Sequence, residues 1–128
     1  MPIVHVHVRA GRPAAQKKAI LDGLHAALVE AFHIPDHDRN QLLHEHAAAD
    51  FETRHGDGAV LVELSVFPGR SLEAKRKLYE GVVRNLERGA GVDPAKVLIV
   101  LHEPPLEDWG IRGGKAAADV QIGFKLDV

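Results

Sequence analysis

The sequence predicts an α+β fold in which two tandem βαβ units form a four-stranded sheet with both helices on one face, followed by a C-terminal strand or hairpin. Three observations lead there. The 128-residue chain repeats itself once at an offset of 58, so that Gly11-Arg12 recurs as Gly69-Arg70, Lys17 as Lys75, Gly23 as Gly81 and Leu43-His44-Glu45 as Leu101-His102-Glu103. Within each half the apolar spacing runs from period two to helical and back to period two. Parallel strands need a long crossover of fixed hand, which places each helix over the sheet. The whole chain, residues 1–128, reads as one domain, with pseudo-repeats at about 2–46 and 60–104 and a tail at 105–128.

Each element has its own warrant. Residues 3–9 alternate, with Val4, Val6 and Val8 on one face and His5, His7 and Arg9 on the other. Gly11-Arg12-Pro13 turns the chain, and Pro13 suits a helix start, where its missing N–H is not needed. Ile20, Leu21, Leu24, Leu28 and Phe32 form one helical stripe, closed by His33-Ile34-Pro35, since the residue before a proline is steered out of the helical region. A second strand covers 39–46, and residues 47–58 make a polar connection. The third strand spans 59–66. Ser71 is positioned to cap a helix whose inner face carries Leu72, Leu78, Tyr79, Val82 and Leu86. Gly89-Ala90-Gly91 ends that helix, and Val97 to Leu101 form the fourth strand. In the tail, Val120, Ile122, Phe124, Leu126 and Val128 alternate, which predicts a strand added to a neighbouring subunit. A single layer of helices leaves one sheet face bare, and its apolar residues predict a homo-oligomer.

Composition narrows the function. Hydrophobic residues make up 45% and charged residues 27%, as in an ordinary soluble domain. A net charge of −2 gives no basic footprint, so nucleic acid is not an expected partner. The absence of cysteine removes disulfides, thiolate catalysis and Cys-based zinc sites. No apolar run reaches membrane-spanning length and no signal peptide is legible, so a soluble cytoplasmic protein without membrane contact is expected. The nine histidines tempt a metal reading, but no His-Glu-x-x-His helix motif is present and no metal site is expected. No phosphate-cradling loop is found either.

Pro2 is the residue with two meanings. Proline cannot donate to a sheet ladder, so it is tolerated at the first strand position. An initiator methionine before a small residue is normally trimmed, which would leave a secondary amine at the head of the strand. The repeat separates these readings, because Pro2 falls on Val60 and strand entry there does not require proline. An α-amino group titrates near pH 8, burial lowers that value, and a neutral amine can then act as a general base.

A proline after Met1, a strand ending in Gly-Arg, the βαβ repeat and a Trp109-Gly110-Ile111…Gly113-Gly114 tail resemble the tautomerase superfamily. Its short members, such as 4-oxalocrotonate tautomerase, are single βαβ units, and its longer members fuse two. Among these the chain most resembles malonate semialdehyde decarboxylase and its relatives, through Phe32 to Arg39, His44-Glu45-His46, Arg70 to Lys75 and Asp108-Trp109-Gly110. The resemblance implies Pro2 as the catalytic amine, Asp38 as a catalytic aspartate and Arg70 as a substrate-facing arginine. A second family arginine falls here on Pro68. Arg12 matches a carboxylate-binding arginine of the short members, and Trp109 an aromatic wall over the substrate. The same resemblance implies a cofactor-free enzyme acting on small 2-oxo acids or their enols, assembled as a trimer. Asp38 beside Pro2 would instead hold the amine protonated and favour decarboxylation or hydration of a small 3-oxo or unsaturated acid. A non-catalytic ferredoxin-like binding module has the same periodicities, but gives no reason for a terminal proline.

Overall fold

The computed structural model describes residues 2–128. Strand β1 (Ile3–Arg9) is followed by α1 (Ala14–Phe32), β2 (Gln41–His46), β3 (Val60–Ser65), α2 (Leu72–Ala90), β4 (Val97–His102) and a short hairpin, β5 (Gly110–Ile111) and β6 (Lys115–Ala116). The four-stranded sheet has the order β2-β1-β3-β4. Each βαβ pair is parallel, while β1 and β3 meet antiparallel at the centre, with Val6 opposite Val62. The halves are therefore related by an approximate two-fold axis. No described helix is long and apolar enough to cross a membrane.

The repeat is physical as well as sequential. Gly11 and Gly69 both turn at φ near 120°, a region that side chains avoid. Lys17 pairs with Glu45, and Lys75 with Glu103, tying each helix to the strand that follows it. Both helices end in the left-handed region, α1 at His33 and α2 at Gly91. The Ser71 hydroxyl accepts the backbone N–H of Ala74, so α2 carries the cap expected of it, whereas α1 starts without a side-chain cap.

Alternation puts Val4, Val6, Val8, Val60, Val62 and Leu64 under the helices, where they meet Ile20, Leu24, Leu28, Phe32, Leu78, Val82 and Leu86. Leu72, expected on the inner face of α2, is instead 60% exposed, because it is the first residue of the helix and projects past the core. The helices approach closely at Gly23. A Cβ there would lie 3.1 Å from the Asn85 Cβ, and the Asn85 amide donates to the Gly23 carbonyl at 3.0 Å. Gly23→Val should therefore push the helices apart and cost about 1–3 kcal/mol, read as a lowered denaturant midpoint. An unchanged midpoint would mean that the contact is slack.

The other sheet face is bare within one chain. Ile3, Leu42, Leu98 and Val100 are exposed there. Beside them runs a ladder of imidazoles in which His5 shares a 2.8 Å hydrogen bond with His44, and His7 one of 2.8 Å with His46. Burial, and then the rings of His44 and His46, push the pKa of His7 below the usual histidine value, with Glu63 pulling the other way. The unfolded chain then takes up this proton first. Stability should be complete above about pH 6.5 and decline as pH falls through the folded pKa of His7. Chemical denaturation at pH 7.5 and 5.5 should show a smaller acid loss for His7→Phe than for the parent. An identical loss would remove His7 from the cause.

The tail supplies the expected C-terminal hairpin, but within one chain its alternating end is not a strand. Residues 120–128 form no strand; the only hairpin among the described residues lies upstream at β5 and β6. Gly123, at φ 89°, breaks the extended run. The apolar residues of the tail fold back onto their own chain: Val120, Ile122, Phe124 and Leu126 pack on the cluster of Phe67, Trp109, Ile111 and Ala117. The Val128 carbonyl accepts from the Ser71 N–H at 3.0 Å, which straps the tail across the start of α2.

Candidate functional site

Topology decides which end of the sheet gathers polar groups. Parallel pairing puts the start of β2 beside the start of β1, and antiparallel pairing puts the end of β3 there too. Pro2, the loop 33–40, the turn 66–70 and the tail therefore meet at one end. Pro2 is buried, and its carbonyl accepts from the Asn40 amide at 3.2 Å. The loop is pinned from behind, where buried His25 on α1 donates from Nε2 to the Asp36 carbonyl at 2.7 Å. The Asp38 N–H then donates to the Pro35 carbonyl at 3.0 Å, which holds the loop backbone in a turn.

A cavity of about 380 Å³ opens at this end, with Asp38, Phe67, Ile111, Arg112, Ile122 and Phe124 on its walls. His37, on the same loop, also lines it. The walls are otherwise apolar. That composition suits a small anion with a hydrocarbon body.

Arg70 lies behind the wall rather than on it. It is 7% exposed, and its Nη1 donates to the Phe67 carbonyl at 2.9 Å. The guanidinium carbon sits 4.8 Å from the Phe32 ring centre and 6.0 Å from that of Phe124. Its Nε has no partner, and Arg70 makes no ion pair among the described residues. Desolvation pulls its pKa below the usual arginine range, with the charge of Glu103 acting in the opposite direction. An arginine remains a cation even so.

The remaining two candidates go elsewhere. Trp109 does not line the cavity. Its indole N–H donates to the Pro104 carbonyl at 3.1 Å and its ring meets Phe67 edge-on at 4.9 Å, so it braces a residue that does. Arg12 lies at the opposite end of β1, a strand of 7 residues and so roughly 20 Å long. There it donates to the Gly58 carbonyl at 3.1 Å and ties the first turn to the loop before β3. Within one chain Arg12 and Pro2 are not brought together.

Comparison with known proteins places the chain in a family by sequence and fold. The family model "Tautomerase enzyme" matches residues 38–112, and a second of the same description matches 2–53. The chain belongs to the tautomerase family. It is 32% identical to the probable tautomerase YrdN of Bacillus subtilis over 122 residues, covering 91% of this chain and 95% of that one. Malonate semialdehyde decarboxylase, solved in forms that include an alanine mutant of its first-residue proline, is 31% identical, with a TM-score of 0.82 over 93% of this chain and 99% of that one. A wild-type fused 4-OT symmetric trimer is 30% identical, with a TM-score of 0.82, covering 91% and 96%. This tautomerase-family enzyme thus shares its double βαβ fold with proteins that carry out more than one reaction.

Sequence reasoning missed three residues at this end. Asn40 and Phe67 have no motif of their own and emerge only from strand pairing. Arg112 carried one legible signal, a fixed cation next to Gly113-Gly114 in the tail loop.

Proposed function

We propose that the protein is a cofactor-free tautomerase acting on small 2-oxo acids or their enols, with the Pro2 amine, freed by loss of Met1, as general acid and base. The observation that carries this reading is that the strand pairing brings buried Pro2 to the same sheet end as the cavity lined by Asp38, although Pro2 is not itself one of the wall residues. A neutral Pro2 amine takes the enol proton and returns it to the β-carbon, which gives the 2-oxo acid. Asp38 sets the balance between neutral and charged amine. Arg70, a desolvated cation behind Phe67, provides the field that stabilises the substrate carboxylate and the developing enolate. Trp109 holds Phe67 in place. Arg12 acts within its own chain as a structural tie.

A second reading has one specific support. Asp38 on the wall favours a protonated Pro2, which polarises a carbonyl or an alkene instead of taking a proton. That chemistry suits decarboxylation or hydration of a 3-oxo or unsaturated acid. The bare sheet face, with its exposed Leu42, Leu98 and Val100, supports assembly into a homotrimer.

Intact-mass analysis combined with two assays tests the proposal. The mature chain should lack Met1 and ketonise phenylenolpyruvate faster than it decarboxylates malonate semialdehyde. A retained Met1 blocks the amine and removes both readings, while a reversed preference selects the second.

A further inference from the structure

The cavity faces a substrate with one cation, and it is not Arg70. Arg70 sits behind the wall against Phe32, Phe124 and the Phe67 carbonyl, so it acts on a substrate only through its field and makes no contact with it. Arg112 lies on the wall itself, opposite in charge to Asp38, with apolar Ile111, Ile122 and Phe124 beside it. Its one hydrogen bond is long, from Nη2 to the Ile122 carbonyl at 3.4 Å, and it makes no ion pair among the described residues. Arg112 is exposed, its other donors have no partner among the described residues, and their planar fork matches a carboxylate.

The backbone adds an independent observation. Arg112 sits at φ 48°, in the left-handed region, one of only two non-glycine residues there among those described. Gly113 and Gly114 follow at φ 78° and 98°. Glycine is the residue this turn favours, and an arginine held there carries backbone strain. Strain of this kind on a cavity wall points to a use for the side chain.

We infer that Arg112 is the specificity-determining cation of this site, binding a carboxylate at the end of the substrate remote from the reacting carbon. The inference rests on the reading of this cavity as the reaction site. A substrate then lies with its reacting end on the Asp38 wall, at the sheet end where Pro2 starts β1, its body along Phe67 and Ile111, and a second carboxylate on Arg112. Dicarboxylic enols are preferred over enols that end in a neutral ring.

Arg112→Gly tests this in the full chain, because glycine suits the turn and removes only the cation. It should lower kcat/KM for 2-hydroxymuconate, which bears a carboxylate at each end, by roughly ten- to a hundredfold, mainly through KM. Phenylenolpyruvate, with a phenyl ring at that end, should change by less than about twofold, the level expected when no charged contact is lost. The thermal midpoint should be equal or higher, and Arg112→Lys should recover part of the loss as a point charge. Equal effects on the two substrates, or no effect on either, would overturn the inference. If the parent protein turns over neither, the Pro2 reading fails on its own. Calorimetric titration with cis,cis-muconate and cinnamate then decides: Arg112→Gly must weaken only the dianion, and equal affinities, or no binding of the dianion by the parent, count against Arg112.

Discussion

Pro2→Ala should lower kcat/KM for phenylenolpyruvate by roughly 10²- to 10⁴-fold, the range of a positioned general acid or base. The fold should survive, because the Asn40 contact is made to the backbone carbonyl, which alanine retains. A primary amine remains in the variant, with more freedom and a different angle of approach, so some turnover should persist. Circular dichroism and the denaturant midpoint should match the parent. Unchanged turnover would remove Pro2 from the chemistry and leave it a strand-entry residue.

Replacing Arg70 should have the next largest effect, and two variants separate its roles. Arg70→Ala removes a buried side chain packed between Phe32 and Phe124 and lying beneath the tail, and should cost about 2–5 kcal/mol, as large-to-small changes in cores do. Arg70→Met fills much of that volume without a charge. An unpaired buried cation is itself costly, so the methionine variant should regain most of the stability. Its kcat should nonetheless stay depressed by roughly tenfold, about 1.4 kcal/mol of barrier, since the charge acts across Phe67 as a field and not as a contact. Urea midpoints and steady-state kinetics on the same preparations read both quantities. If Arg70→Met restores activity together with stability, Arg70 is a structural residue.

The fold was legible because its signals agree at several levels. Alternation in residues 3–9 and 60–65 and the helical stripe from Ile20 to Phe32 each match an element, and the repeat supplies the architecture. The expected C-terminal hairpin is present at β5 and β6, but residues 120–128 form no strand within the chain, since period two also needs a partner edge and Gly123 turns this segment back onto Phe67 and Trp109. The imidazole ladder was hidden for a related reason. His5 stands opposite Leu42 in the backbone register, and only side-chain reach along the pleat brings it to His44.

The candidate site was legible as residue types more than as places. Arg12 and Arg70 are equivalent in the repeat, and only the family resemblance gives them different roles in the sequence. The antiparallel meeting of β1 and β3 separates them in space, by carrying Arg70 to the Pro2 end and leaving Arg12 at the other. Burial then moves Arg70 behind Phe67, and a left-handed turn brings Arg112 forward. Neither position could be read without three-dimensional coordinates.

The central claim is that Pro2 carries a free amine electrostatically coupled to Asp38. Its most direct test is an NMR pH titration of protein labelled with ¹⁵N-proline. Pro2 should give a titrating secondary-amine signal, and Asp38→Asn should shift its midpoint downward, since loss of the carboxylate destabilises the charged form. A Pro2 signal that stays amide-like across the whole pH range would contradict the account.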